Sequence, residues 1–564
     1  MGQGTGSPQI THRGMEIFDA IVVGSGVTGG WAAKELTEAG LRVAVIEAGR
    51  NLVPEKYFTE HVPPYQVKYR GYSPEMRRTR PIQSDFYACM EYNYDWFVND
   101  LENPYTTPSD RPFKCIRVRI LGGRSLVWGR VSLRLSDLDF QAARRDGCGE
   151  VWPLSYADLA PFYDKVEEFI GVSGLAEGVS HVPDGKFQTP MPMFCSEAIL
   201  RNTLQEKFGR HLLFGRNANL TQPLNGRAPC HYCGPCERGC MTGSYFNSPT
   251  VTLAAAGKTG RLTVITDAVV SHVTCDQGSA KATGVRTVDR QTRNVREVQG
   301  KVVVLCAQSL ESVRILLNSA TRQFPNGLAN SSGVLGHYMM DHFSGFGASG
   351  VIPGAERRVW YGPPQRPTGT YIDRFRNLIE RRPDYIRGFG YEVYLSPPFN
   401  AGSPGFGPEY KERIKHGDWT MHLQGYGEIV PQWENFCELD KKVVDTWGIP
   451  ALRISMDYGE NARKMAPDVA ASAGEMLEAA GAREVRLHQR FDYGRHEVGA
   501  ARMGSDPKRS VLNPFLQSHD VKNLFVMDGC SFVSASCHNP TLTMIALAVR
   551  GCDYLVEQFR RGDL

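Results

Sequence analysis

Four of the fourteen cysteines crowd into one short segment, where their thiolates could bind a metal together. They are Cys230, Cys233, Cys236 and Cys240, with the spacing C-x2-C-x2-C-x3-C. This is the ligand spacing of bacterial iron–sulfur proteins, except that Met241 stands where a proline usually follows. The run therefore predicts an iron–sulfur cluster, and a closed four-thiolate zinc site or unligated thiols are the alternatives.

Three glycines near the N-terminus could hold the phosphates of a dinucleotide. Gly24, Gly26 and Gly29 form the pattern G-x-G-x-x-G. In this pattern the first glycine permits a tight turn, the second lets backbone approach a pyrophosphate, and the third lets a helix pack closely on a strand. Amide groups at the start of that helix would bind the phosphates, and Glu47 could accept hydrogen bonds from ribose hydroxyls.

The elements needed to position these glycines are predicted on both sides of them. Residues 18–23 and 41–46 are short apolar strands rich in β-branched side chains, and residues 31–40 are a helix that ends at Gly40. Strand, glycine turn, helix, strand and acid together make a complete dinucleotide-binding unit. Further strands are predicted at residues 116–120, 262–266, 268–273, 282–286, 302–306 and 419–430.

The composition is that of a globular protein, with 41% hydrophobic and 22% charged residues. The net charge is +4 and the two signs are interleaved, which argues against a nucleic-acid-binding protein. No apolar run approaches the roughly 18 residues of a membrane span, so we expect a soluble protein without a transmembrane segment. Residues 1–14 lack the apolar core of a signal peptide and are expected to be a disordered extension or tag.

Three further segments, together with the glycine pattern, carry a resemblance to a known family. They are residues 121–130, 493–507 and 523–547. The first contains Gly122-Gly123, the second contains His496, and the third contains Asp528-Gly529 and Asn539-Pro540. In this order along the chain they resemble the glucose–methanol–choline (GMC) oxidoreductases, flavoproteins that oxidise alcohols.

The resemblance implies a noncovalently bound FAD and assigns residues to its parts. Where some pyranose-oxidising relatives bond a histidine to the flavin, this chain has Val127, which excludes an 8α-histidyl link there. The ADP half would lie on Gly24, Gly26, Gly29 and Glu47, the pyrophosphate and isoalloxazine on Gly122, Gly123 and Ser125, and the ribityl side on Asp528 and Gly529.

The resemblance also implies the catalytic pair. His496 falls on the active-site histidine of the family and Asn539 on a second active-site position, while His538 is expected to point away. Oxidation of an alcohol removes the hydroxyl proton while hydride leaves carbon for the flavin. A neutral imidazole, with a pKa of about 6.5, can accept that proton, and a carboxamide can donate to the developing alkoxide.

The cysteine run makes the chain similar to the large catalytic subunit of bacterial FAD-dependent sugar dehydrogenases, such as glucoside 3-dehydrogenase. Relatives of that kind bind a three-iron cluster through C-x5-C-x3-C, which Cys230, Cys236 and Cys240 match. The additional Cys233 leaves 3Fe-4S and 4Fe-4S clusters open. The resemblance implies oxidation of a secondary sugar or glycoside hydroxyl, such as C3 of a pyranoside, with electron transfer through the cluster. It also implies a small partner subunit and an acceptor such as cytochrome c.

Two other activities remain open from the sequence. One is a pyranose or glycoside oxidase that uses O2, with a structural metal or free cysteines, and the other is an FAD-containing lyase. Aromatic and amide side chains suited to a sugar ring are Trp419, Gln424, Tyr426 and Trp433. The compartment is left open between the bacterial cytoplasm and a periplasm reached with an exported partner.

The predicted fold is α/β, with a Rossmann-like FAD-binding domain and an α+β substrate domain inserted discontinuously and built on an antiparallel sheet. Residues 15–150 are expected to be the first part of the FAD-binding domain and residues 151–225 the first part of the substrate domain. Residues 226–330 hold the cysteine loop and the second FAD part. Residues 331–490 return to the substrate domain, and residues 491–564 complete the FAD-binding domain with His496 and Asn539.

Overall fold

The computed structural model describes residues 17–63, 66–276, 278–353, 366–378, 380–397 and 405–564. The predicted extension at residues 1–14 lies outside the described residues. Within these ranges the helices are α1 (Val27–Glu38), α2 (Pro54–Tyr57), α3 (Pro74–Thr79), α4 (Asp137–Phe140), α5 (Ala142–Asp146), α6 (Tyr156–Ile170), α7 (Cys195–Phe208), α8 (Thr252–Lys258), α9 (Ser309–Asn318), α10 (Gly407–His416), α11 (Gly459–Ala479) and α12 (Thr541–Arg561).

The strands over the same ranges follow in chain order. They are β1 (Phe18–Val23), β2 (Val43–Ile46), β3 (Val172–Ser173), β4 (Phe187–Gln188), β5 (Leu212–Leu213), β6 (Leu262–Ile265), β7 (Ala268–Cys275), β8 (Ala282–Asp289), β9 (Val295–Leu305), β10 (His342–Val351), β11 (Thr370–Ile372), β12 (Phe389–Ser396), β13 (Thr420–Glu428), β14 (Phe436–Val444), β15 (Pro450–Ser455), β16 (Arg483–Tyr493) and β17 (Leu524–Val526).

A seven-stranded sheet forms the first layer and is assembled from three distant parts of the chain. Its order is β6-β2-β1-β9-β8-β7, and β17 pairs with β9. β1 is parallel to both β2 and β9, so that Val23 is level with Ile46 on one side and Leu305 on the other. The residues of β2 are fully buried, as expected for a parallel strand covered on both faces. This confirms the predicted Rossmann-like βαβ unit.

A second sheet is antiparallel and has the order β16-β10-β13-β12-β11-β5. Helix α11 packs against β10, β13 and β16. Its buried face carries small and apolar side chains such as Ala466, Val469 and Ala473, which let the helix lie close to the sheet. One continuous apolar core includes residues of both sheets, for example Val22 and Phe343. The predicted antiparallel substrate sheet is confirmed.

The prediction of a strand at residues 116–120 is wrong. This segment makes only isolated bridges, Val118 with Phe97 and Ile120 with Arg50, because its two partners come from different parts of the chain. The strand predicted at residues 302–306 is the C-terminal part of the longer β9. The domain limits stay predictions, and β16 runs across the limit placed at residue 490. Among the described helices, none is both long and apolar enough to span a membrane.

Candidate active site

A cavity of about 770 Å³ lies at the carboxyl ends of the parallel strands. Val23, Ile46 and Cys306, which end or follow β1, β2 and β9, form part of its wall. Ligands of open parallel sheets bind at this edge because the loops that leave the strands converge there. The opposite wall comes from the antiparallel sheet, through Glu392 on β12 and Tyr426 on β13. The cavity is therefore shared by the two layers.

The glycine turn after β1 has the geometry that the sequence pattern predicts. Gly24 has a φ of +96°, which side-chain-bearing residues rarely adopt. A Cβ at Gly29 would lie 2.0 Å from the carbonyl oxygen of Gly24, so only glycine lets α1 pack this close. A Cβ at Gly26 would meet no atom within 4 Å, because this residue faces the open cavity. Together with the first turn of α1, this bare backbone leaves room for a phosphate group.

Glu47 is held by a network that includes a residue absent from the sequence predictions. Its carboxylate accepts hydrogen bonds from the backbone N–H and hydroxyl of Ser25 and from the N–H of Gly49. The Ser25 hydroxyl in turn accepts a 2.8 Å hydrogen bond from the N–H of Gly122. Burial raises the pKa of Glu47. Ser25 thus joins the two glycine segments, and nothing in the one-dimensional pattern distinguishes it from an ordinary turn serine.

The second glycine segment lies next to the first. Gly122 has a φ of +94°, and a Cβ there would lie 2.5 Å from the ring of Pro249. A Cβ at Gly123 would point toward Gly26, 3.9 Å from its Cα. The hydroxyl of Ser125 donates to the Gly122 carbonyl at 2.6 Å, which braces the turn. The segment therefore leaves space on the cavity wall in which a pyrophosphate could bind. The hydroxyl proton of Ser125 is already used in the hydrogen bond to the Gly122 carbonyl.

Asp528 and Gly529 also line the cavity, beside α9. The carboxylate of Asp528 accepts hydrogen bonds from the N–H of Cys530 and from the hydroxyl of Ser312 on α9. Burial raises the pKa of Asp528. This residue therefore fixes the Gly529 turn against the N-terminal part of α9.

The lining fits a dinucleotide cofactor such as FAD. Bare glycine backbone, the first turn of α1 and the carboxylate of Glu47 lie along one end of the cavity. The same cavity continues past Val127 to His496 and Asn539. All the residues predicted to bind FAD line it except Gly29 and Gly122, whose roles are in packing and in the turn.

His496 and Asn539 come together although 43 positions separate them in the chain. Nε2 of His496 lies 3.5 Å from Nδ2 of Asn539, and both side chains line the cavity. Asn539 also donates a 2.9 Å hydrogen bond to Oε1 of Glu392. His538 is 2% exposed, is absent from the cavity wall and has no hydrogen-bond partner for either ring nitrogen.

His342 and Asp341, which the sequence predictions missed, contact His496 and hold it in position. The ring of His342 contacts the ring of His496, with 2.9 Å between the two Nδ1 atoms. Asp341 accepts a 2.9 Å hydrogen bond from the backbone N–H of His496. We call Asp341, His342, His496 and Asn539 the histidine cluster. In the sequence Asp341 and His342 are only an Asp-His pair at the start of β10, and no spacing rule links such a pair to an active site.

The environment keeps His496 neutral. Burial lowers the pKa of His496 well below its ordinary value of 6.5, and the neighbouring His342 ring and the positive charges of Arg124 and Arg495 lower it further. Arg124 is bound by Glu497 through a 2.9 Å ion pair. A neutral ring that faces a cavity can accept a proton from a bound hydroxyl group.

The cysteine run, residues 230–240, is not arranged as a metal site. All four cysteines lie in the described part of the chain, where no group of three or more His, Cys, Asp or Glu side chains could hold a metal ion. Cys236 is buried, the other three are half-buried, and none lines the cavity. Close spacing in sequence does not make side chains converge, which also requires the backbone to turn each one inward. The predicted iron–sulfur cluster, and the zinc alternative, therefore receive no support.

Of the four residues predicted to contact a sugar, two reach the cavity. Gln424 and Tyr426 line it, and Nε2 of Gln424 donates a 2.8 Å hydrogen bond to the hydroxyl of Tyr426. Trp419 and Trp433 are not part of the wall. Trp433 instead stacks on His337, with ring centroids 3.6 Å apart.

Comparisons with known proteins agree on one family. Two family models, both described as GMC oxidoreductase, match residues 18–344 and 431–548. A 2-methyl-1,2-propanediol dehydrogenase from Mycolicibacterium austroafricanum is 30% identical, over 96% of this chain and 95% of that protein. The fructose dehydrogenase large subunit of Gluconobacter japonicus is 27% identical, over 96% of this chain and 98% of that protein.

Solved structures show the same fold at lower identity. A formate oxidase from Aspergillus oryzae has a TM-score of 0.65 and 14% identity, and the match covers 98% of this chain and 100% of that one.

Proposed function

Because this chain belongs to the GMC oxidoreductase family, whose members use FAD to oxidise CH–OH groups, we propose that it is a dehydrogenase of a sugar, glycoside or related polyol. The observation that carries the proposal is the pair formed by His496 and Asn539 on the cavity wall, with Nε2 and Nδ2 3.5 Å apart. The names of the two relatives, a diol dehydrogenase and a fructose dehydrogenase subunit, support the substrate class.

FAD bound in the cavity would accept hydride from the carbinol carbon of the substrate. His496 takes the hydroxyl proton at Nε2, and Asn539 donates an N–H to the oxygen that becomes the carbonyl. The C–H and O–H bonds break and the C=O bond forms, so that two electrons leave with the hydride and one proton stays on His496. We place the cofactor on the residues assigned to it above, without a covalent link, since Val127 offers no nucleophile.

The substrate end of the cavity carries several hydrogen-bonding groups. Glu392, Gln424 and Tyr426 lie there, and the hydroxyl of Tyr394 donates to Gln424 at 3.1 Å. A carboxylate, an amide and phenols in one wall suit a ligand with several hydroxyl groups better than a plain alkyl alcohol. This supports a polyhydroxy substrate, and a secondary hydroxyl such as C3 of a pyranoside is the specific site we propose.

The electron acceptor distinguishes a dehydrogenase from an oxidase. No step of the proposal uses the cysteine run, because its side chains are not arranged as ligands. The match to a protein named as a large subunit supports a smaller partner subunit, with the electrons passing to an external carrier.

The test is a substrate and acceptor screen on the purified protein. We expect a yellow protein that releases intact FAD on acid precipitation, and whose flavin is bleached anaerobically by a sugar, glycoside or polyol. Turnover should be faster with a dye or cytochrome than with O2. A colourless protein, or flavin unreduced by every alcohol tested, would contradict the proposal, and rapid peroxide formation would favour the oxidase.

A further inference from the structure

We propose that His342 holds His496 in a single ring tautomer, with the proton on Nδ1 and the lone pair of Nε2 directed into the cavity. His342 is then a positioning residue, which acts through His496 and does not touch the substrate. The inference rests on the proposed function, since it specifies how the proposed base is prepared. It follows from the hydrogen bonds on both sides of one buried imidazole.

The first step concerns the proton on His342. Nε2 of His342 lies 3.3 Å from the carbonyl oxygen of Ala535. A carbonyl oxygen can only accept a hydrogen bond, so this nitrogen must carry the proton. In a neutral imidazole the other nitrogen is then unprotonated. Nδ1 of His342 is therefore an acceptor.

The second step carries this assignment to His496. The two Nδ1 atoms are 2.9 Å apart, a hydrogen-bond distance that requires a proton between them. Because Nδ1 of His342 is the acceptor, Nδ1 of His496 must be the donor. A neutral His496 has only one ring proton, so its Nε2, which lies beside Asn539, is unprotonated. The opposite tautomer would turn an unprotonated Nε2 of His342 toward the Ala535 carbonyl, and a buried hydrogen bond would be lost.

His342 is neutral because of where it lies. It is 1% exposed, and burial lowers its pKa to about 4. The neighbouring His538 lowers the pKa of His342 as well. Asp341 contacts the backbone N–H of His342, and burial raises the pKa of Asp341 well above its ordinary value. Arg124 and Arg495 lie near His496, and Glu497 binds Arg124 and helps to raise the pKa of Asp341. At neutral pH both rings are therefore uncharged.

The backbone fixes the two rings at this distance. One oxygen of Asp341 accepts the N–H of His342 at 2.6 Å and the N–H of His496 at 2.9 Å. The carbonyl of His342 also accepts the N–H of Gly494 at 2.7 Å. A Cβ at Gly494 would lie 3.2 Å from Nδ1 of His496, so glycine at this position leaves room for the imidazole ring of His496. When Nε2 takes the substrate proton, the Nδ1–H bond to His342 remains in place.

The experiment compares His342→Leu with His342→Asn in the FAD-loaded protein. Leucine removes the acceptor, whereas the Asn Oδ1 can accept at the place of Nδ1. We expect His342→Leu to slow anaerobic flavin reduction about 10- to 100-fold, the scale seen when the partner that orients a metal-ligating histidine is removed, and His342→Asn to restore most of the rate. The acid limb of the rate–pH profile should shift in the leucine variant only.

Nitrogen NMR of histidine-labelled holoenzyme gives a readout that does not depend on turnover. In the wild type the resonance lost in His496→Ala should show an unprotonated Nε2, and in His342→Leu it should show a mixture of the two tautomers. The flavin spectrum and the melting temperature of each variant report on folding.

The two proposals fail in different ways. If His496→Ala abolishes flavin reduction while His342→Leu keeps the wild-type rate and the wild-type nitrogen resonance, the tautomer inference is overturned and the proposed function stands. If His496→Ala leaves flavin reduction intact, the proposed catalytic role of His496 and Asn539 fails. A resonance of an unprotonated Nε2 of His496 would still support the tautomer assignment. A protonated Nε2 in the wild type overturns the inference directly.

Discussion

The histidine cluster and the cysteine run both gather residues capable of chemistry, but they are built in opposite ways. The histidine cluster takes its members from three distant segments, at residues 341–342, 496 and 539, and two hydrogen bonds of 2.9 Å join the first two. The cysteine run is continuous in sequence, yet its side chains do not form a possible metal site in the described chain.

The difference shows what makes a constellation of residues functional. In the histidine cluster Oδ1 of Asp341, both ring nitrogens of His342 and Nδ1 of His496 have fixed partners. Burial turns those partners into constraints because an unpaired polar group would cost about 1–3 kcal/mol. In the cysteine run three of the four thiols are half-buried, and the four side chains form no metal-holding group in the described chain. Neighbouring positions in the chain bring thiols near one another, but only a bound ion or a rigid turn makes them converge.

The largest effect is expected for His496→Ala. Removal of a general base costs about 10²–10⁴-fold, so anaerobic flavin reduction by substrate should fall by that amount while FAD remains bound. Stopped-flow absorbance of the flavin measures the rate. His488→Ala, an exposed histidine on β16, is the matched control and should keep the wild-type rate. A near-normal rate in His496→Ala would show that another residue acts as the base.

Asn539→Ala should come next. Loss of a donor to a developing oxyanion costs about 10²–10³-fold, and the same stopped-flow assay measures it. His538→Leu is the control, because its ring lies outside the cavity and makes no hydrogen bond. If the leucine variant were the slower of the two, the catalytic pair would have to include His538 in place of Asn539.

A smaller effect concerns the pH dependence of flavin reduction. The base form of His496 is required, and its pKa is well below 6.5, so the unprotonated ring predominates from neutral pH down past 6.5. The rate should therefore stay level as the pH falls through this value and decline only at more acidic pH. Single-turnover rates across the acid range provide the measurement. An acid limb at or above pH 6.5 would show that the ring is less buried in solution than in this structure.

The smallest effect is expected for Cys236→Ser. Flavin reduction under anaerobic conditions should be unchanged, since none of the four cysteines lines the cavity. Iron and zinc analysis of wild type and variant completes the comparison. Stoichiometric metal in the wild type that disappears in the variant would show that the cysteine run does converge around an ion, and would restore the prediction made from its spacing.

The geometry of the glycine turn at the proposed dinucleotide end of the cavity could be predicted from the sequence. Gly24, Gly26 and Gly29 act through the backbone, and backbone geometry at a strand–helix turn depends on local residue types. The prediction failed where pairing is not local, as at residues 116–120, which bridge to two separate segments and form no strand. Ser25 illustrates the limit, because its role depends on Gly122, 97 positions away.

Residue types and spacing were enough to specify the βαβ unit, the family resemblance and the pair formed by His496 and Asn539. They could not specify Asp341 and His342, or decide that the cysteines fail to converge. A glycine in a tight turn is selected by its own φ angle, whereas the hydrogen bond between the rings of His342 and His496 depends on the packing of segments far apart in the chain. The folded structure alone therefore decides which nitrogen of His496 faces the cavity.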